Sequence, residues 1–366
     1  MDKSRIEWTD ATWNPVVGCT RVSAGCDNCY AVPMTHRLAS MAETGDRGVG
    51  RKAMYHGLTV LNGRGDRHFN GVVRTVPEAL TVPLRWKRPR RIFVNSMSDL
   101  FHKSVPFGFV DRVFAVMALC PQHQFQVLTK RPERMAEYFR RTVTFDGVTL
   151  TTIESIVLSA IQTCNDVLGR GFGDERHAYE NSIPWPFPNV WLGTSCEDQD
   201  AADERIPHLL RCPTAVRFLS CEPLLGPIEL AAFLGHIHED TLGVENQKHA
   251  PGPFHDPWHD PLLHWVIVGG ESGPNARPCE VSWIESLRWQ CREAGVPVFI
   301  KQMGSNVGMT GPTGPEVREW GDTEIVRFAD GVRLILKDKK GGDPDEWPER
   351  FRVRMWPAQR KGDSHA

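Results

Sequence analysis

Three cysteines, Cys19, Cys26 and Cys29, share one short string, GCTRVSAGCDNCYA, at a spacing of C-x6-C-x2-C. A C-x2-C pair is common to zinc and iron–sulfur sites. A structural zinc takes four ligands, and His36 or a distant cysteine would have to supply the fourth. Zinc ribbons present two such pairs, and this chain has one. An iron–sulfur cluster also usually takes four thiolates, so three would leave one iron open to a ligand. The residues alone leave an open cofactor-binding cluster, a zinc clip and no metal as alternatives.

The other groups capable of chemistry follow short apolar runs. NSMSDLFH carries Ser96, Ser98 and Asp99; TKRP carries Lys130 and Arg131. TSCEDQ carries Ser195 and Glu197, SCEPLLGP carries Glu222, and GGESGPNARP carries Glu271. Cations at a helix start oppose the helix dipole, so Lys130 and Arg131 need a reason to be there. Two glycines before Glu271 allow a backbone to approach a ligand closely. Four acids, Asp99, Glu197, Glu222 and Glu271, could alternatively gather a magnesium ion.

The elements that must position these groups are legible as a rhythm. Seven runs, at 14–19, 91–97, 124–130, 189–195, 215–221, 264–271 and 296–302, are nearly continuous hydrophobics. That pattern fits strands covered on both faces, as in a parallel sheet. Helical patterns at 109–120, 132–141, 198–212 and 281–295 lie between them, the last stopped by Gly295. The expected fold is α/β: a complete or partial (β/α) TIM-like barrel, with an open doubly wound sheet as the alternative. In a barrel the polar groups at strand ends share one face.

The expected organisation is a barrel-like catalytic domain over 1–304 and a C-terminal extension over 305–366. Insertions are expected at about 44–75, 142–188 and 236–264. The first reads as a long Gly/Arg-rich loop and the second holds one extra helix. The third carries six of the fourteen histidines at irregular spacing, which favours a loop over a metal site. The extension should contain a hairpin around Asp330-Gly331.

Composition bounds the rest. The chain has 366 residues and a net charge of -2, so any nucleic-acid surface must be a local patch. RWKRPRR at 85–91 is such a run, but it precedes a strand and belongs on the face opposite the site. No apolar run approaches the roughly 20 residues that span a bilayer, and the polar opening MDKSRIEWTD is no secretion signal. The expectation is a cytoplasmic protein with no membrane partner. Ten cysteines there are thiols, metal ligands or core residues. Cys164, Cys212 and Cys291 sit in helical patterns and read as core, and Cys196 and Cys221 as small core or loop thiols.

The strings IEWTDATWNPVVGCTRVSAGCDNCYA, IFVNSMSDLFH, FQVLTKRPERM, NVWLGTSCEDQ, RFLSCEPLLGPI, WVIVGGESGPNARP and VFIKQMG resemble a phage-associated three-cysteine family of unassigned function. A three-cysteine loop after the first strand of an α/β barrel also resembles the radical S-adenosylmethionine superfamily. The usual spacing there is C-x3-C-x2-C, and the longer first gap here departs from it.

That resemblance implies a 4Fe–4S cluster on Cys19, Cys26 and Cys29, with S-adenosylmethionine chelating the open iron. Reductive cleavage would yield a 5′-deoxyadenosyl radical that takes hydrogen from substrate. The superfamily's Gly-Gly-Glu position on the second strand reads NSMSD here, which makes Ser96, Ser98 and Asp99 its counterparts. Ser195 and Glu197 are candidates for ribose and polar contacts, and Arg131 or Lys130 for the methionine carboxylate or a substrate phosphate. Lys130, Glu222 and Glu271 are the catalytic candidates. A nucleic acid or nucleotide substrate and an electron donor are the implied partners. Two other functions compete: a zinc-stabilised nucleic-acid-binding protein, and a magnesium-dependent nuclease on the same barrel.

Overall fold

The structure is a computed structural model that describes residues 4, 6–43, 53–145, 147–168, 184–235, 262–310, 319–320, 323–328 and 331–357. Its centre is a seven-stranded parallel sheet. The strands are β1 (Ala11–Trp13), β2 (Arg91–Val94), β3 (Gln124–Thr129), β4 (Val190–Ser195), β5 (Val216–Cys221), β6 (Trp265–Gly269) and β7 (Val298–Gln302). They lie in chain order from β1 to β7, and β1 and β7 are the end strands. Such an order is that of a singly wound α/β sheet, left open. Burial explains the continuous hydrophobics: every residue of β4 and of β6 is buried.

Six of the seven apolar runs fall on these strands. The first does not. Its place in the sheet is taken by Ala11–Trp13, while Val16–Val17 pairs antiparallel with Arg74–Thr75. Pro15 between them has no N–H to give a ladder, so the chain leaves the sheet there.

The longer helices among the described residues are α1 (Ala31–Glu43), α2 (Phe107–Ala118), α3 (Pro132–Arg140), α4 (Thr152–Thr163), α5 (Gln199–Leu210) and α6 (Val281–Glu293). The sequence pattern did not predict α1, because Pro33 breaks its reading; a proline in the first turn costs no hydrogen bond. Two compact units divide the chain: 1–195 with 204–216, and 196–203 with 217–366.

The insertions differ from plain loops. Within 44–75, Thr59–Leu61 pairs with Arg67–Phe69. Tyr55, Leu58 and Val76 form a buried cluster with Val17, Ala31 and Met97, and Cys29 packs against it. The expected long loop is thus a bed under the cysteine string. Within 142–188 a hairpin, Thr142–Phe145 with Val148–Thr151, precedes α4. Thr151 and Glu154 close a capping box at that helix start. The expected metal-free histidine loop falls on 236–261, outside the described residues, and only His264 of the six is described.

In the second unit a four-stranded sheet joins Cys279–Glu280, Val307–Thr310, Gly331–Ile335 and Glu324–Arg327. The last two are the expected antiparallel hairpin; Asp330 lies outside the described residues. The basic run sits where the sequence put it, before β2. Arg91 bonds Asp10 through its backbone and its guanidinium, and Arg90 lies over the Trp86 ring. No helix among the described residues is long and apolar enough to cross a membrane.

Candidate functional site

In the first unit the cysteine loop is tied to the end of β2. Gly18 has φ +83°, and a Cβ there would stand 2.2 Å from the Val72 carbonyl oxygen, so only glycine fits. Gly18 bridges Ser98, whose hydroxyl donates to the Val16 carbonyl at 2.7 Å. On the other side of the loop Tyr30 donates its hydroxyl to the Ser96 carbonyl at 2.7 Å. Ser96 donates in turn to Asn14 Oδ1 at 3.2 Å.

Between these anchors the chain turns tightly. Cys26 N–H bonds Ser23 O, Cys29 N–H bonds Cys26 O, and Val32 N–H bonds Cys29 O, which feeds the loop into α1. Cys19, Cys26 and Cys29 are half-exposed, whereas all seven other cysteines are buried.

Arg131 is the hub of this site. One terminal nitrogen donates to Asp99 Oδ2 at 2.8 Å and lies 3.8 Å from Cys19 Sγ. The other donates to Thr20 O and Thr20 Oγ1, both at 2.9 Å. Asp99 is saturated: Oδ1 accepts from Thr129 Oγ1 and Phe101 N–H, and Oδ2 from Lys130 N–H and Arg131. The buried carboxylate thus spends both oxygens on donors of the protein itself. This resolves the misplaced cation at the start of α3: Arg131 turns to Asp99 and the cysteine loop.

His102 completes the network. Its Nδ1 accepts from Ser104 N–H, so Nε2 carries the proton and donates to Thr20 Oγ1 at 2.9 Å. Burial, with the Arg131 charge adding to it, lowers the His102 pKa to about 4, so the ring is neutral at pH 7.

The loop thiols sense one another. Desolvation pushes Cys19 up to about 12; Asp99 and Cys29 add to the rise and Arg131 opposes it. Desolvation also raises Cys29, with Cys26 adding and the Lys130 charge opposing. Lys130 and Arg131 therefore supply the positive potential that thiolates would need. Among the described residues no group of three or more His, Cys, Asp or Glu is drawn together as a formed metal site.

The sequence candidates divide between the units. Ser96, Ser98, Asp99, Lys130, Arg131 and the three cysteines meet in the first. Ser195 is buried at the end of β4, where its carbonyl accepts from Arg205 at 2.7 Å.

Glu197, Glu222 and Glu271 belong to the second unit. Glu222 pairs with Lys301 at 3.1 Å, and a Cβ at Gly269 would stand 2.6 Å from its Oε1. Glu271 is clamped by Arg277, whose NH2 donates to Oε1 at 2.6 Å while Nε and the backbone N–H share Oε2. Glu197 is buried, and its carbonyl accepts from Leu225 N–H at 2.7 Å. Both Glu222 and Glu271 are thus matched to a cation.

Thr20, His102, Tyr30 and Thr129 were not among the sequence candidates. Each acts through a contact distant in the chain, and only the 98–102 string, crowded with polar groups between apolar neighbours, hinted at one of them.

A family model described as "Protein of unknown function (DUF5131)" matches residues 3–342, and the chain belongs to that family. Neither the curated proteins nor the solved structures contain a match.

Proposed function

We propose that this member of the family is a radical S-adenosylmethionine-type enzyme, with Cys19, Cys26 and Cys29 as ligands of a 4Fe–4S cluster. One observation carries the reading: of ten cysteines, the three half-exposed ones are the three of the loop. Core thiols are buried and inert; thiols that bind a cofactor must be reachable. The donor set fits the group, because three soft sulfurs with no carboxylate among them suit iron–sulfur chemistry, and two cations stand beside them. The singly wound strand order supports a partial (β/α) barrel as the scaffold.

Bound there, the cluster would supply the electron that cleaves S-adenosylmethionine, the source of the hydrogen-abstracting radical. The protein's own residues do the positioning. Arg131 holds Thr20 and Cys19 against Asp99, and neutral His102 holds the Thr20 hydroxyl from the other side. Lys130 offsets the negative charge that the thiolates gather. Asp99, with all its bonds spent inside the protein, positions Arg131 and takes no ligand proton.

In the second unit Glu222 with Lys301 and Glu271 with Arg277 are the proton-handling candidates for substrate. The Lys and Arg content of the strand-end loops supports a nucleic acid or nucleotide as substrate, and a phage association and a cytoplasmic setting belong to the same proposal. An electron donor is the implied partner.

The test is metal and sulfide analysis on protein purified without oxygen. About four irons and four labile sulfides per chain are expected. One zinc and no sulfide would replace this reading with a zinc-stabilised binding protein. Cleavage of nucleic acid that depends on magnesium alone would replace it with a nuclease.

A further inference from the structure

Asn95 follows β2 directly, between the strand ends that carry Asn14 on one side and Thr129 on the other. Its backbone is fully used: N–H donates to Trp13 O at 2.8 Å, and O accepts from Ser98 N–H. Its φ is +60°, and among the described residues no other non-glycine residue has a positive φ. The residue is 2% exposed. Among the described residues neither Oδ1 nor Nδ2 has a hydrogen-bond partner.

These facts conflict with an ordinary structural role. Asparagine enters the left-handed region because its side chain can bond the local backbone. Here it makes no such bond. Glycine would hold the same turn without steric cost and without two buried, unpaired polar atoms. Such atoms are costly to leave unsatisfied in the interior. A buried outlier with orphan polar atoms beside a candidate site is the pattern of a group kept for a ligand.

We infer that Asn95 reads a purine edge, the adenine of an adenosyl ligand, with its carboxamide. The orphan pair is one donor beside one acceptor, planar and neutral. An adenine edge offers the complementary acceptor and donor, and a carboxamide meets it with two parallel bonds. The charged ends of an amino acid would instead call for charged partners, and the Asp99 carboxylate nearby is already saturated. The assignment rests on the reading that this site takes an adenosyl group, but it does not require the cluster.

The experiment uses the purified full-length chain and two probes, adenosine and purine riboside, which lacks the exocyclic amine. Calorimetry should show wild type preferring adenosine by about tenfold, the worth of one such bond. Asn95→Gly should lose the preference while its melting temperature stays equal or rises, because strain and orphan atoms go together. Asn95→Asp, which keeps an acceptor for the amine but loses the donor to the ring nitrogen, should weaken the binding of both probes and keep the preference.

Equal binding of both probes by wild type, or no binding of either, overturns the inference. So does an Asn95→Gly protein that keeps the preference, or one that melts several degrees lower, which would make the carboxamide structural. Iron and sulfide counts on the same preparation judge the cluster separately, so the two readings fail independently.

Discussion

The chain holds two groups of three cysteines, and they are built in opposite ways. Cys19, Cys26 and Cys29 are neighbours in sequence, half-exposed, and flanked by Arg131 and Lys130. Cys196, Cys221 and Cys291 come from three separate elements and are each fully buried. They also sense one another: burial holds Cys221 well above the usual thiol range, with Cys196, Cys291, Glu222 and Glu197 adding to the rise. Cys221 has acids beside it, whereas Cys19 and Cys29 have the Arg131 and Lys130 cations as well as the Asp99 carboxylate. Proximity of sulfurs is therefore not what marks a cofactor site. Access and positive potential mark it, since they decide whether a thiolate can form and be reached.

The largest expected effect breaks that comparison or confirms it. Alanine at Cys19, Cys26 or Cys29 should abolish iron and sulfide incorporation, measured on anaerobic protein. Alanine at Cys221 or Cys291 should leave the metal content intact and cost about 1 kcal/mol in urea denaturation, the price of a small packing defect. If the two groups behave alike, the loop is not a cluster site.

Next in size is Arg131→Ala. The pair it forms with Asp99 is largely buried, with side-chain exposures of 16% and 7%. Removing one partner of such a pair leaves the other charge uncompensated, at about 3 kcal/mol. Stability should fall by that order and iron content should fall with it. Arg131→Lys should recover little, because one ammonium cannot reach Asp99 and Thr20 together.

A pH effect of somewhat smaller size belongs to His102. Its pKa is about 4 in the fold against an ordinary value of 6.5. A depressed histidine means the unfolded chain binds more protons between those values. The contribution is therefore present above pH 6.5 and is lost as pH falls toward 4, by up to roughly 3 kcal/mol. Urea denaturation of metal-free protein should show stability rising with pH across that window. His102→Gln should flatten this part of the profile, and an unchanged slope would remove His102 from the account.

The smallest effect is expected at the basic run. Arg88→Ala should change neither stability nor iron content measurably, and Arg91→Ala should cost under about 1 kcal/mol for its half-exposed pair with Asp10. A large loss of iron in either variant would place that run at the site and contradict the strand topology of the first unit.

The legible part of the fold was the part repeated along the chain. Continuous apolar runs located β2 to β7, since a strand covered on both faces must be hydrophobic at every position. The exception is instructive. Val16–Val17 looks like the first strand, but one proline sends it to a partner far along the chain. The bed of the cysteine loop, from Tyr55 to Val76, was illegible for the same reason: its strands are short and polar, and only their pairing across distance orders them.

The sequence by itself determined the three loop cysteines, the alternation of strand and helix, and the collection of polar groups at strand ends. Local spacing and periodicity are enough for those. Tertiary structure alone decided which groups are saturated and which are open. Asp99 reads as a cofactor or magnesium candidate and is bonded four ways within the protein; Arg131 reads as a partner for a carboxylate or phosphate and ties Asp99 to the loop. Asn95, which no sequence pattern singled out, holds two atoms in the interior that have no hydrogen-bond partner among the described residues. Hydrogen-bond satisfaction depends on partners tens of residues apart, so no local pattern carries it, and it is satisfaction that separates a structural polar group from one kept for a ligand.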